Sequence, residues 1–495
     1  MKKITKILFA FVLMLSGSCS DFLDEDLKGT YSNATFYKTE AHAYLAIAGI
    51  YNAASFVSTD NKLWAIGDVA SDDATKGGGA GDLSDIQFID EFTYSRSNGV
   101  LDRIWKRYYE GISRANYLLH YSSGLDMDAE LRDRILGEAK FMRAYFYFNL
   151  VNIFGEIPLK LKPPINEDEI NKPKSSVEAV YAQIEKDLTE AVPVLETTYT
   201  NLDVGRATKG AAWGLLAKAY LYQEKWADVL TAIDEVDDLG IYNLQSVYKN
   251  NFIDSTQNNS ESLFEIQHLS NENPKLGSHL NQYFSPSNDN GYFFDAPLQD
   301  FVDEFEQTAG LVRDPRLDYT VGRAGQPWIN GESFDPAWSP TGFLQKKHVQ
   351  PKKEEPIIGD ASLNYVYLRY ADILLMKAEA LNESGQTSLA LVPLNEVRKR
   401  ARESYLYDED ILGFGVVPAN LLPDVISTDP QTVRDAIRHE RRVELGFEFH
   451  RFFDLIRYGA TTAEALLPPA FNYADNEGRF LIPQSELDTN PAITN

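Results

Sequence analysis

The chain has 495 residues, of which 47 are Lys or Arg and 73 are Asp or Glu, so its formal net charge at pH 7 is −26. This excess of carboxylates argues against nucleic acid as a partner, because neutralising phosphates requires a basic surface. The sequence is 44% hydrophobic and 12% aromatic. That apolar content offsets the entropy of ordering and excludes global disorder.

The N-terminus has the pattern of an export signal with a lipid-attachment site. Three lysines precede the apolar run 7–15, which is too short to span a bilayer. The tripeptide Ser-Gly-Ser then leads to Cys19, the only cysteine of the chain. This arrangement resembles a bacterial lipobox. We therefore predict a signal peptide over 1–18 and a lipid anchor at Cys19; the alternative is an ordinary secretory signal with an incidental cysteine.

Most of the remaining chain has the periodicity of α-helices. In 131–151 apolar residues recur at helical steps, which places them on one face of a helix. The segment 175–195 begins with Ser175 and Glu178, the spacing of a capping box. Further helices are predicted at 207–222, 225–237, 365–383, 387–402 and 431–446.

Three of these helices share a signature, which reads MRAYF at 142–146, AKAYL at 217–221 and MKAEA at 376–380. The pair formed by 207–237 is close in length to a tetratricopeptide unit of about 34 residues. A single helical hairpin cannot bury its apolar face alone. We therefore predict a mostly α-helical protein, in which tetratricopeptide-like hairpins stack into one scaffold.

Two segments, at about 56–103 and 249–350, lack this periodicity. Both are rich in Gly, Pro, Asn and Asp, with aromatic residues interspersed. Loops of this length inside a compact protein usually carry function. We predict that they are long irregular insertions in a single domain that spans 19–495.

Several segments are similar to hallmark segments of the SusD/RagB family. They include GEAKFMRAYFYFNLVNIFGEIPL at 137–159, YVYLRYADILLMKAEALNE at 365–383, LNEVRKRA at 394–401 and IRHERRVELGFEFHRFFDLIRY at 437–458. One departure is Phe449, which stands where the family commonly has glycine. We expect this residue to alter local packing without affecting function.

The resemblance implies a lipid-anchored protein of the outer membrane, exposed at the surface of Bacteroidetes-type bacteria, with no enzymatic activity and no cofactor. Such proteins bind oligosaccharides or polysaccharides and deliver them to a partner TonB-dependent β-barrel transporter of the SusC-like type. The family's ligand contacts vary between members, so none is transferred by position. Two alternatives stay open: a binding protein for peptides or protein fragments, as on the RagB side of the family, and an anchored glycosidase.

Candidate ligand-binding residues are the aromatics of the two insertions and the short polar side chains beside them. Sugar rings pack their C–H faces on aromatic rings, while polar side chains bond the hydroxyl groups. The insertions offer no periodic stripe that would bury these aromatics, whereas Trp105, Trp213 and Trp226 lie on predicted helices. The alternative is that the loop aromatics pin the insertions onto the scaffold. The candidates are Trp64, Asp68, Asp72, Asp73, Tyr283, Tyr292, Trp328 and Trp338.

A glycine run at 77–81 is flanked by aspartates. It lacks the Gly-Lys-Ser/Thr ending of a phosphate-binding P-loop, which favours a flexible loop. Asp72, Asp73, Asp82 and Asp85 do not follow EF-hand spacing. We therefore predict no metal site here.

The predicted helix 431–446 carries charges on its apolar stripe. Glu440 and Glu444 fall where apolar residues are expected, and arginines are abundant nearby. His439-Glu440 lacks the second histidine that a zinc-protease helix needs. These charges indicate a structural network of ion pairs rather than catalysis.

Overall fold

The computed structural model describes residues 36–329, 331–355 and 358–493, so the predicted signal peptide and Cys19 lie outside the described residues. Within these ranges, nine helices of 13 residues or more form the scaffold. They are α1 (Glu40–Ala54), α2 (Gly99–Tyr121), α3 (Ala129–Phe154), α4 (Val177–Ala191), α5 (Lys209–Leu221), α6 (Trp226–Asp238), α7 (Tyr370–Glu383), α8 (Thr387–Tyr407) and α9 (Pro430–Leu445).

The long helices pack mainly against their neighbours in the chain. Each helix from α1 to α7 contacts the next one, and α9 packs on both α7 and α8. The three signature alanines, Ala144, Ala219 and Ala378, are fully buried, because a methyl side chain lets neighbouring helices approach closely. The mostly α-helical fold and its tetratricopeptide-like hairpins are thus confirmed.

Helix α4 begins one residue later than the capping-box spacing suggests. The hydroxyl of Ser176, not that of Ser175, accepts a hydrogen bond of 3.3 Å from the backbone N–H of Ala179. Ser175 is extended because it pairs with Ile157 in a short sheet. Thr208 caps α5 in the same way as Ser176 caps α4.

The strands are short and lie mostly in the insertions and connections. They are β1 (Ala74–Gly77), β2 (Ile157–Pro158), β3 (Lys174–Ser175), β4 (Ser262–Ile266), β5 (Phe294–Pro297), β6 (Val321–Gly322), β7 (Leu344–Gln345) and β8 (Tyr365–Arg369). Each sheet is an antiparallel pair, formed by β1 with β5, β2 with β3, β4 with β8 and β6 with β7. Since β1 belongs to the first insertion and β5 to the second, this pair joins the two insertions.

The predicted helix 365–383 is wrong over its first five residues. Residues 365–369 form β8, and α7 begins only at Tyr370. Alternating Tyr and Val favour a strand, and β8 finds a partner in β4, whose Phe264 pairs with Leu368. The tertiary pairing therefore overrides the apolar periodicity that continues into α7.

The insertions are less irregular than predicted. The shorter helices of the protein, within and outside them, are Ser84–Asp90, Glu167–Ile170, Leu280–Phe284, Gln299–Glu304, Arg316–Thr320, Arg451–Arg457, Ala460–Leu466, Tyr473–Asn476 and Gln484–Thr489, and Ala65–Val69 forms a turn of π-helix. The glycine run is also ordered. Gly77 has φ of 66°, and a side chain there would meet the carbonyl oxygen of Phe293, so glycine lets β1 approach β5 closely.

Candidate ligand-binding cleft

The tryptophan of the first insertion lies in the core. Trp64 is fully buried, and its ring contacts Tyr283, Phe284 and Phe294 at centroid distances of 5.6, 5.4 and 5.9 Å. No face of this ring is free to stack on a sugar. The prediction that Trp64 forms a binding platform is therefore wrong; the alternative, that it pins the loop to the scaffold, describes it correctly.

The aspartates beside Trp64 are also occupied by structural contacts. Asp72 accepts hydrogen bonds of 2.7 and 2.8 Å from Arg451, and Asp73 accepts one of 2.7 Å from Arg442. Asp68 is fully buried and accepts a hydrogen bond of 3.1 Å from the backbone N–H of Phe449. The structure contradicts their prediction as ligand contacts, since their carboxyl groups attach the first insertion to residues 442–451, at the end of α9 and just after it.

Burial and neighbouring charges set the protonation of these three carboxyls. Burial, reinforced by the charges of Asp295 and Asp73, raises the pKa of Asp68 well above its usual value. Burial also raises the pKa of Asp73, to about 6, against the opposing effect of Arg442. Burial acts in the same direction on Asp72, but Arg451 and Arg442 outweigh it and lower its pKa.

The two candidate tyrosines of the second insertion differ in exposure. Tyr283 is buried with only 4% of its surface exposed, and Lys62 lies 5.4 Å from its ring centroid. Tyr292 is 43% exposed and packs against Tyr283 and Phe294 at 6.3 and 5.9 Å. Tyr292 therefore keeps an accessible ring, and Tyr283 serves as part of its support.

The second insertion forms most of a cleft of about 830 Å³. Four separate parts of the chain line it, namely 249–255, 318–329 with Gly331, 346–354 and 410–412. This volume lies within the roughly 300–1,000 Å³ range of small-molecule sites. The lining residues with aromatic or charged side chains are Lys249, Phe252, Asp254, Asp318, Tyr319, Trp328, Lys346, Glu354 and Asp410.

Trp328 lines the cleft, but it is not the exposed platform that the sequence predicted. Only 3% of its surface is exposed, because it packs against Phe334 and Trp338 at 5.7 and 6.3 Å and lies over Gly322. Trp338 is half-buried and supports Trp328 without lining the cleft itself. Trp328 is therefore too buried to offer a ring face to a ligand, and its prediction as a stacking platform is wrong.

Tyr319 is the half-exposed aromatic of the cleft. Its hydroxyl donates a hydrogen bond to Asp408, and the ammonium of Lys249 lies 5.7 Å from its ring centroid. Lys249 also pairs with Asp408 at 2.7 Å and with Asp410. These contacts fix the ring orientation while leaving part of the ring open to the cleft.

Lys346 brings a second cation to the cleft. Its ammonium donates to the backbone carbonyls of Asp318 and Pro327 at 2.7 and 3.2 Å. Burial lowers the pKa of Lys346 to about 8. The lining carries four carboxylates and only two ammonium groups, so the cleft has a net negative charge. One of the two ammonium groups, that of Lys249, is already paired with carboxylates.

Buried ion pairs attach the second insertion to α9. Arg316 of the insertion donates to Glu440 and Glu444 at 2.5 and 2.8 Å, and all three side chains are fully buried. Glu261, near the start of the insertion, accepts hydrogen bonds of 2.8 Å from Arg369 and Arg400. The predicted structural ion-pair network around Glu440 and Glu444 is confirmed.

The described part of the chain contains no group of three or more His, Cys, Asp or Glu side chains placed to hold a metal ion. Around the glycine run, Asp82 accepts from the backbone N–H of Gly79, and Asp85 accepts from that of Gly99, both at 3.0 Å. These carboxylates are used to shape the loop. Within the same described residues, no helix is long and apolar enough to cross a membrane.

The sequence did not indicate most of the cleft. Tyr319, Phe252 and Lys249 lie in the second insertion, but neither composition nor spacing separates them from other loop residues. Asp410 and Leu412 come from the connection between α8 and α9, far along the chain. The usable signal was the aromatic and polar content of the insertion as a whole.

Helical hairpins that carry a loop-built cleft define the class of a helical-repeat protein. Two family models match the chain, one described as "SusD family" over residues 260–479 and one as "Starch-binding associating with outer membrane" over residues 21–221. The chain belongs to the SusD/RagB family.

Individual relatives agree with this assignment over nearly the full length. A SusD-like protein of Formosa agariphila is 24% identical, and the match covers 98% of this chain and 97% of that protein. The solved structure of a laminarin-binding SusD-like protein is 28% identical with a TM-score of 0.76, and the match covers 92% of this chain and 99% of that one. A SusD-like carbohydrate-binding protein of Bacteroides fragilis is 24% identical with a TM-score of 0.79, covering 93% and 100% of the two chains.

Proposed function

We propose that this protein captures oligosaccharides at the cell surface and delivers them to a TonB-dependent outer-membrane transporter. The observation that carries the proposal is the cleft of about 830 Å³, which combines the half-exposed ring of Tyr319 with carboxylate, amide and ammonium side chains, while the buried rings of Trp328 and Phe252 complete its wall. Aromatic rings beside short polar groups are what a sugar ring requires. Tyr292, which is exposed outside this cleft, is a further candidate contact.

The comparisons support a carbohydrate as the ligand. One matching family model is described as starch-binding, and the 28% identical relative is a laminarin-binding protein. Neutral glucans are therefore the first ligands to test. The description of the same family model also supports association with the outer membrane.

The proposal includes a lipid anchor at Cys19 after removal of residues 1–18. Acyl chains would hold the protein on the membrane without a spanning helix. Labelled palmitate should be incorporated into the wild type and not into Cys19→Ala. Equal labelling of the two proteins would show that Cys19 is not the attachment site.

We also propose that the protein binds its glycan without hydrolysing it. Purified protein incubated with a bound oligosaccharide should leave the chain length unchanged by chromatography. Turnover that disappears on changing one carboxylate of the cleft, such as Asp318→Asn, would instead establish an anchored glycosidase.

Titration calorimetry with a panel of neutral oligosaccharides, including laminarihexaose, maltohexaose, cellohexaose and mannohexaose, tests the cleft. Tyr319→Ala should weaken binding by at least about tenfold, since a few residues dominate such sites. Tyr407→Ala is the matched control, because Tyr407 is 54% exposed and does not line the cleft. Equal affinity of the two variants would exclude the cleft, and binding of a peptide library in place of the whole glycan panel would favour the RagB-like alternative.

A further inference from the structure

A second, smaller cavity of about 190 Å³ lies where the first insertion meets the C-terminal part of the chain. Aromatic side chains from both segments surround it. Phe92 contacts Phe471 at a centroid distance of 4.8 Å, and Tyr94 contacts Phe480 at 4.9 Å. Phe480 is buried, whereas the other three rings are half-buried, so part of each remains accessible. This cavity shares no lining residue with the cleft described above.

The two walls of the cavity are fixed to each other and to the scaffold. The backbone N–H of Phe480 donates to the carbonyl of Ile153 in α3 at 2.7 Å. Arg96 donates to the carbonyl of Ile482 at 3.0 Å, and its own carbonyl accepts from the N–H of Gln484 at 2.9 Å. A preformed site costs little ordering entropy when a ligand binds.

Polar groups with unused hydrogen-bonding capacity line the same cavity. Among the described residues, the side chains of Asp475 and Arg479 make no hydrogen bond or ion pair. Asn472 accepts from the N–H of Ala474 at 3.2 Å and keeps its amide N–H groups. Asn476 donates to the carbonyls of Arg479 and Phe480 and keeps its carbonyl oxygen. Donors and acceptors are therefore both available beside the aromatic rings.

The charges and the size of the cavity define the ligand class. The negative charge of Asp475 and the positive charge of Arg479 sum to zero. The cavity therefore attracts neither an anionic nor a cationic ligand by its net charge. The volume is below the roughly 300–1,000 Å³ of sites that enclose drug-sized molecules, so it suits one or two sugar rings. We infer that this cavity is a second glycan-binding site, which takes a chain end or branch of a neutral polysaccharide.

Two sites on one chain have a functional consequence. A polysaccharide that reaches both sites binds the second one at a high effective concentration, so a long chain is held more tightly than a short oligosaccharide. The ligand class rests on the proposed glycan-binding function, but the site is independent of the cleft. The effect on binding of a variant at one site can therefore be distinguished from the effect of a variant at the other.

The test measures binding of the neutral hexaose panel and of the corresponding polysaccharides to four proteins: wild type, Tyr319→Ala, Phe471→Ala and the double variant. We expect Tyr319→Ala to keep a residual binding signal that the double variant loses. Phe471→Ala should reduce the preference for polymer over hexaose by at least about tenfold. Phe414→Ala, which changes a 46% exposed phenylalanine outside both cavities, should leave every affinity unchanged.

Because Phe471 is half-buried, Asp475→Ala provides a second variant that removes an exposed hydrogen-bonding group and no packing. It should weaken the residual binding of Tyr319→Ala while the melting temperature stays unchanged. Loss of all binding in Tyr319→Ala alone would overturn the second site and leave the proposed function intact. Loss in Phe471→Ala and Asp475→Ala with full affinity in Tyr319→Ala would support this site and overturn the cleft. A panel with no binder at all would overturn both.

Discussion

At the scale of single residues, Phe449 has two opposed effects on the stability of the fold. Its φ is 66°, in the left-handed region that favours glycine. Its ring, however, stacks on Tyr365 at 4.7 Å and contacts His348 at 4.9 Å, deep in the core. The ring therefore takes part in core packing. The expectation that Phe449 alters local packing without affecting function stays a prediction.

Replacing Phe449 by glycine separates these effects. Losing a buried phenylalanine ring costs about 3–5 kcal/mol, whereas relief of the left-handed conformation returns about 1–2 kcal/mol. We expect Phe449→Gly to lower the free energy of unfolding by about 1–4 kcal/mol in urea denaturation. Phe449→Ala keeps the backbone strain and should be the less stable variant; the reverse order would contradict this explanation.

His439 on α9 is the residue whose charge should matter near neutral pH. Burial alone would lower its pKa, but hydrogen bonds to Glu304 at 2.9 Å and to Glu306 raise the pKa to about 9. Because the folded pKa lies above the unfolded value of about 6.5, the stabilisation is complete below pH 6.5 and is lost as the pH rises through 9. The free energy of unfolding should therefore fall by on the order of 1–2 kcal/mol between pH 6.5 and 9, allowing for partial exposure.

The measurement compares urea denaturation of the wild type and His439→Gln across this range. The glutamine variant should lack this part of the pH dependence and lie closest to the wild type at pH 9. A parallel pH dependence of the two proteins would show that folding leaves the pKa of His439 unchanged.

At the scale of elements, α9 organises the molecule through charge. Glu444 faces Arg316, Arg369 and Arg400, and all four side chains are buried. The arginines lower the pKa of Glu444 despite its burial. Since Arg316 lies in the second insertion and Arg400 in α8, one carboxylate connects a loop to the scaffold.

Glu444→Gln should therefore be strongly destabilising. Removing this charge leaves buried arginines without full compensation, which costs about 3–5 kcal/mol in comparable buried ion pairs. Glu403→Gln on α8 is the control, because Glu403 pairs only with Lys399 at 3.9 Å near the surface and should change stability by less than about 0.5 kcal/mol. Equal effects of the two changes, measured by urea denaturation, would exclude the network as a main source of stability.

The elements also show which parts of the fold the sequence could predict. The helices followed from apolar periodicity and capping residues, since both act within one turn of chain. The strand at 365–369 could not be found that way, because its partner β4 lies about a hundred residues earlier. The prediction that Trp64 is exposed failed for the same reason. Trp64 has no periodic pattern, yet distant residues such as Phe284 and Phe294 bury it.

At the scale of the whole molecule, loops from different regions meet to form both cavities. The cleft uses residues near 250, 320, 350 and 410, and the second cavity uses residues near 93 and 475. Apolar contacts hold these parts together; Phe301 and Phe305 of the second insertion, for example, pack with Val443 and Phe447 at the end of α9. The composition of the insertions predicts that they carry a site. Which residues line the candidate cleft depends on tertiary packing that no local pattern records.

The net charge of −26 and the negative cleft together predict a preference for uncharged ligands. Four carboxylates and two ammonium groups line the cleft, and clefts focus the field of such charges on an approaching ligand. A sulfated glycan should therefore bind more weakly than its neutral parent, by at least about tenfold at low salt. Because the Debye length falls from about 30 Å at 0.01 M salt to about 3 Å at 1 M, the difference should shrink as salt is added.

The matched probes are a neutral glycan that binds in the panel and the same glycan after chemical sulfation, titrated at 10, 150 and 500 mM sodium chloride. Lys346→Ala makes the cleft more negative and should widen the difference, whereas Glu354→Gln, at the exposed rim, should narrow it. Equal or tighter binding of the sulfated form at low salt would mean that Lys346, held only by two carbonyl oxygens, pairs with the sulfate and outweighs the surrounding carboxylates.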